Sequence, residues 1–261
     1  LPILRAIKNE KFSELAQKQQ NKIEECQLSL HVIKTPTKDR VTFDLFDRVN
    51  RGGTRLNNQE MRNAIYQGNA TKLLKKLSAS ESFKKATENS IDTKRMKDRY
   101  LILRFLAFYL WREGKLLDAE TQKKVEYKSD MEDFLSKTMT FLNNNISNNI
   151  TEKIPEIFEG AMENSFNLFG EECFRLPKKK DKGYKRPINM ALFETISYFA
   201  AELKNNQLID INKNNLIKEK YKELIRDEEY VFALTHSVDS NIRIEERFKK
   251  IEDKIEEISN A

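Results

Sequence analysis

The chain has 261 residues, 39% hydrophobic and 34% charged, with a formal net charge of +6. This is enough for one large core or two small ones, but seven glycines and five prolines are too few for a many-stranded fold with frequent turns. Two cysteines outside any Cys-x-x-Cys pair exclude a disulfide scaffold and point to a reducing, cytoplasmic setting, with Cys26 and Cys173 as small packing residues.

Helical periodicity opens at Phe12–Cys26, and the alternating run Leu28–Ile33 is the best strand candidate. The sequence starts Leu1-Pro2 rather than with Met, as expected of a piece of a longer protein. Asp39–Val49 reads as a helix with Val41, Leu45, Phe46 and Val49 on one side. Asn50-Arg51-Gly52-Gly53-Thr54-Arg55 follows with the chain's one glycine pair. Asn57 and Glu60 have capping-box spacing for a helix running to about Gln67, closed by Gly68. Further helices are predicted at 70–78, 80–88, 93–112, 128–148, 151–168, 187–205, 212–226, 228–236 and 240–258, with 114–127 as a polar join and the asparagines from 143 to 149 as a break. Tyr100–Trp111 is the nearest approach to a membrane span. It is too short and carries Arg104, so it reads as a buried helix and no membrane partner is expected.

The segment that carries chemistry is residues 43–68. A glycine turn lets backbone approach a ligand, and the next helix offers free N–H groups and the positive end of its dipole. Arg48, Arg51 and Arg55 surround the turn with charge suited to phosphate oxygens. The plainer reading makes Gly52-Gly53 a connection and the arginines solvated. The string Phe46-Asp47-Arg48-x-Asn50-x-Gly52-Gly53-x-x-Leu56-Asn57-x-Gln59-Glu60-x-Arg62-Asn63 resembles the N-terminal domain of GmrSD-type restriction endonucleases, a branch of the ParB/sulfiredoxin-like superfamily. Phe12-Ser13-Glu14-Leu15, the Asp98–Phe108 stretch and Asn189-x-Ala191-Leu192-Phe193-Glu194 fit the same order.

Composition and periodicity predict a mainly α chain, and the resemblance divides it. Residues 1–70 would supply the helical remainder and one or two strands of a ParB-like α/β domain, and 71–261 a bundle-like helical domain. To the phosphate contacts read from the turn and helix start (Arg48, Arg51, Gly52, Gly53 and Asn57) the resemblance adds Asn50 with Arg51 as the nucleotide-holding box, buttressed by Gln59, Glu60 and Arg62, with Asn63 and Arg104 in support. Relatives bind a nucleoside triphosphate with Mg and hydrolyse it through an Asp-Gly-Gln-Gln-Arg motif. That motif is missing from this sequence, so the site looks halved, no catalytic residue is expected, and the fragment by itself should carry no cofactor. A nuclease partner, DNA and a homodimer are the partners implied, in a prokaryotic restriction or antiphage setting. The separate His-Asn-His nuclease of such systems has no counterpart here. His31 lies on the predicted strand and His236 near a helix end, and no metal cluster is legible.

The other signals carry two readings each. Arg175–Arg186 holds seven cations against one anion, equal to the whole net charge. Lys178, Lys179, Lys180, Lys182, Tyr184, Lys185 and Arg186 would grip nucleic-acid phosphates with the tyrosine stacking on a base, or form an ordinary solvated loop. Arg104 either pairs across two layers, with Asp44 or Glu60 as candidates, or reaches the Gly52 turn. Ile244, Phe248, Ile251, Ile255 and Ile258 make a seam that packs on its own bundle or joins a second copy.

Overall fold

The computed structural model describes residues 11–29, 41–42, 45–46, 48, 55–145, 149–177, 185–203 and 211–260. Its packing divides the chain into two compact units, 1–38 and 39–261. In the first unit the helix expected over 12–26 is split. A 3-10 turn (Phe12–Glu14) and α1 (Gln17–Glu24) are separated by extended backbone at Leu15 and Ala16. Each piece opens on a side chain accepting from the backbone: Glu14 from the Lys11 N–H at 3.0 Å, and Gln19 from the Ala16 N–H at 3.1 Å. Leu28 and Ser29 are not in a strand, and the rest of the expected strand, 30–33, lies outside the described residues.

In the second unit Val41, Thr42, Leu45, Phe46 and Arg48 are helical, as the periodicity predicts. The elements that follow are α2 (Asn58–Ile65), α3 (Asn69–Ser78), α4 (Glu81–Ala86), α5 (Lys97–Arg112), α6 (Met131–Asn144), α7 (Asn149–Phe169), α8 (Met190–Glu202), α9 (Ile211–Leu224), α10 (Glu228–Ala233) and α11 (Asn241–Ser259). The protein is mainly α. Among the described residues the only β pairing is the antiparallel bridge Leu117–Lys124, in the join expected to be irregular. No described helix is long and apolar enough to cross a membrane.

Two helices buried on every side form the centre. Every residue of Leu101–Leu110 in α5 and of Ala191–Ala200 in α8 is buried. α5 packs on α2, α3, α6 and α8, while α8 packs on α5, α7 and α11. Aromatic rings tie α5 to its neighbours: Phe108 lies 5.2 Å from both Phe134 of α6 and Phe248 of α11, and Phe105 lies 5.8 Å from Phe158 of α7. The seam of α11 is spent inside the bundle. Ile244, Phe248, Ile251 and Ile258 are buried, Ile255 packs against the core, and the helix contacts α8, α9 and α10.

Gly68 separates α2 from α3 rather than simply closing α2. Its φ of +148° is open to glycine, and an added Cβ would stand 2.7 Å from Asn143 Oδ1. That close approach lets one amide from α6 serve two helix ends. Asn143 Nδ2 donates to the Tyr66 carbonyl at 3.2 Å, and its Oδ1 accepts from the Ala70 N–H at 2.8 Å.

A cluster of charge crosses the apolar centre. Arg104 on α5 is 1% exposed and pairs with Glu194 on α8, which is fully buried. Glu194 also takes Arg247 of α11 at 2.5 Å, and Arg104 reaches Asp239 at 2.6 Å and the Tyr100 hydroxyl at 2.9 Å. The Arg247 guanidinium also donates to the Val238 carbonyl, and the Tyr127 hydroxyl to the Asp239 carbonyl. Burial works against the Arg104 charge, but Glu194, Tyr100 and Asp239 outweigh it and hold the guanidinium pKa well above its ordinary value. Removing one member strands the others in a medium that cannot solvate them. Glu194→Gln is therefore expected to lower unfolding stability by about 3–5 kcal/mol, measured by urea denaturation. A loss under about 1 kcal/mol would mean the cluster behaves as a solvated surface pair.

Candidate functional site

α2 begins with a reciprocal cap. Asn57 Oδ1 accepts from the Glu60 N–H at 2.9 Å, and Glu60 Oε2 accepts from the Asn57 N–H at 2.7 Å. The capped end is tied to the turn before α5, where Met96 adopts a left-handed conformation. Asn57 Nδ2 donates to the Arg95 carbonyl at 2.8 Å. Arg95 Nε donates to both Glu60 oxygens at 2.9 and 3.0 Å, and its Nη2 to the Arg55 carbonyl at 2.9 Å. Among the described residues nothing accepts from the backbone N–H groups of Asn58 and Gln59, the first two of the helix.

A cleft of about 550 Å³ opens over this helix start. It is lined by Leu56, Asn57, Asn58 and Gln59 at the helix start, by the cations Arg55, Arg95 and Lys97, and by Tyr100 and Glu132. Arg95 is committed to Glu60, whereas Lys97 makes no ion pair among the described residues. Gln59 is only 4% exposed. Arg62, fully buried behind it, donates to Gln59 Oε1 at 2.6 Å and to Glu132 Oε2 at 2.5 Å, and its guanidinium lies 5.6 Å from the Tyr100 ring centroid. Burial lowers the Arg62 pKa more than Glu132 and Tyr100 raise it, yet a guanidinium keeps its charge at any physiological pH.

The residues expected at the site are placed as follows in the structure. Asn57, Gln59, Glu60 and Arg62 are brought together, and Asn63 Oδ1 accepts from Arg99 at 3.3 Å just behind them. Arg48 is exposed and helical, while Asn50, Arg51, Gly52 and Gly53 lie outside the described residues. Arg104 is not a cleft residue. Its partners are Glu194 and Asp239 rather than Glu60, which Arg95 occupies, or Asp44, which is outside the described residues.

The basic segment is anchored by acids from elsewhere in the chain. Arg175, nearly buried, donates to Glu88 at 3.1 Å, to Ser90 at 3.0 Å and to the Arg186 carbonyl, and Lys185 is shared between Glu88 and Glu171. Lys178, Lys179, Lys180, Lys182 and Tyr184 lie outside the described residues. Cys173 is buried, and burial pushes its thiol up to about 12, so it is an inert packing residue. Cys26, expected to pack, is exposed. His236 stacks on Phe232 at 4.2 Å beyond the end of α10, and His31 is outside the described residues. Among the described residues no group of His, Cys, Asp or Glu is arranged to hold a metal.

Sequence reasoning missed Arg95, Lys97 and Glu132. The run Lys94-Arg95-Met96-Lys97 held a local signal in its charge, but Glu132 held none. Comparison with protein-family models, curated proteins and solved structures returns no match.

The cap has a pH dependence of known sign. Burial pushes the Glu60 carboxyl up, but the Asn57 N–H and Arg95 outweigh it and leave it below its ordinary value. Its contribution is complete above the ordinary carboxylate pKa of about 4.3 and is lost as pH falls through the lowered folded value. Amides of α2 should therefore open to hydrogen exchange only below about pH 4, and Arg95→Met should move that onset to higher pH. An unchanged onset would show that Arg95 does not hold the cap.

Proposed function

We propose that this protein is a nucleotide-responsive component of a prokaryotic restriction or antiphage system of the GmrSD type, with the cleft over Asn57 receiving nucleotide phosphate. The observation that carries the reading is an open cleft in which Lys97 and two helix-start N–H groups, without partners among the described residues, meet the segment whose sequence resembles that family. Phosphate oxygens would accept from the Asn58 and Gln59 N–H groups and face Arg55, Arg95 and Lys97, with the helix dipole adding to the attraction. The Mg implied by the resemblance finds no ligand set among the described residues, so it is given no role here. No side chain is assigned a catalytic step.

Occupancy has a physical route into the bundle. Tyr100 lines the cleft and accepts from Arg104, which holds Glu194 and, through it, Arg247 of α11. A ligand that shifts Tyr100 disturbs a buried ion cluster, and helix packing at α8 and α11 responds. The alternative of a nucleic-acid module on 175–186 draws less support, because Arg175 and Lys185 are already neutralised by Glu88 and Glu171.

Calorimetric titration with ATP and GTP tests the reading. Binding is expected for the protein and should weaken about tenfold or more in Lys97→Glu, as follows from losing and reversing one charge in a partly enclosed site. Equal affinity in the two proteins would remove Lys97 and the cleft from the nucleotide site.

A further inference from the structure

Gln59 presents an anomaly that phosphate binding alone does not use. Its side chain lines the cleft yet is almost wholly buried, its Oε1 is taken by Arg62, and its Nε2 has no hydrogen-bond partner among the described residues. A buried donor without an acceptor is uncommon in folded proteins and calls for a reason. Arg62 places a second group beside it. The two terminal nitrogens of one planar guanidinium hold Gln59 Oε1 and Glu132 Oε2, so the two side chains lie next to each other in a fixed fork. Gln59 then offers an N–H donor. Glu132 offers Oε1, an acceptor with no partner among the described residues.

We propose that Gln59 and Glu132, aligned by Arg62, form the subsite that reads the hydrogen-bonding edge of a nucleobase. The proposal rests on the cleft being a nucleotide site and adds which part of the nucleotide these residues take. Each common base carries an acceptor beside a donor on its pairing edge. In adenine and cytosine these are the ring nitrogen and the amino group. In guanine and uracil they are the carbonyl and the ring N–H. A donor beside an acceptor matches all four. Inorganic tripolyphosphate carries the charge of a nucleotide but no such edge. Arg62 is a positioning residue here, since it touches only the two side chains that do the reading.

Gln59→Glu is the informative variant. The new carboxylate still accepts from Arg62, so the fork and the fold are retained, but the atom in the place of Nε2 changes from donor to acceptor. Two adjacent acceptors match only guanine, whose ring N–H and exocyclic amino group are neighbouring donors. Affinities for ATP, CTP, UTP, GTP and tripolyphosphate are to be measured for the protein and the variant at about pH 8, where carboxylates are ionised. The protein is expected to bind every nucleotide about tenfold or more tighter than tripolyphosphate. In the variant ATP, CTP and UTP should fall to the tripolyphosphate level while GTP keeps its margin. The added charge weakens all the triphosphates alike, so the ratio of GTP to ATP affinity is the quantity read. Equal binding of tripolyphosphate and nucleotides by the unmodified protein, or an unchanged GTP to ATP ratio in the variant, overturns the base-reading assignment and leaves the phosphate cleft standing. Failure of the protein to bind either tripolyphosphate or nucleotide overturns both.

Discussion

Two helices with no solvent-facing side across their middle turns, α5 and α8, meet through one ion pair, Arg104 with Glu194. An all-apolar interface between such helices would tolerate sliding and rotation, because one leucine is much like the next. A buried charge pair tolerates neither, since any shift leaves an unsolvated charge behind. Arg247 and Asp239 complete the cluster and fix α11 and the residues before it to the same point. The phase of α5 follows, and with it the position of Tyr100, one turn before Arg104. The Tyr100 ring has the Arg104 guanidinium 5.5 Å from its centroid and that of Arg62 5.6 Å away. The Tyr100 part of the cleft lining is thus built on the core rather than on a loop.

Several cations elsewhere in the molecule are held by acids distant in sequence. Arg95 serves the cap through Glu60, Arg112 is shared by Glu245 and Glu252, and Lys250 and Lys254 bridge α11 to acids on and around α9 and α10. The net positive charge in the sequence therefore says little about where an anion would go. The proposal for Lys97 rests instead on its place in the lining of a cleft that also contains the start of α2.

Legibility in the sequence tracked the distance over which each signal acts. The α2 cap was readable because Asn57 and Glu60 are three residues apart and their spacing alone specifies the hydrogen bonds. The helices from α3 onward were readable from apolar periodicity, with the ends displaced by a few residues. The partners of Arg104 were not, since Glu194 and Asp239 lie 90 and 135 residues along the chain and nothing local marks them. Glu132, 70 residues from Arg62, was invisible for the same reason. Counting charges within the basic segment likewise omits Glu88, from another part of the chain, which pairs with Arg175 and Lys185. The split of the first helix at Leu15 and Ala16 also escaped periodicity, which follows side-chain pattern and carries no information on the two extended backbone positions.

The central claim is that an anionic ligand enters at the start of α2 and is felt along α5. Hydrogen–deuterium exchange of the protein with and without ATP tests it most directly, because it locates the ligand without a substitution. Protection is expected in peptides covering residues 55–66 and 95–104, with a smaller change in α8 and α11. Protection confined to residues 175–186, or no change over 55–66 at saturating ATP, would contradict the account.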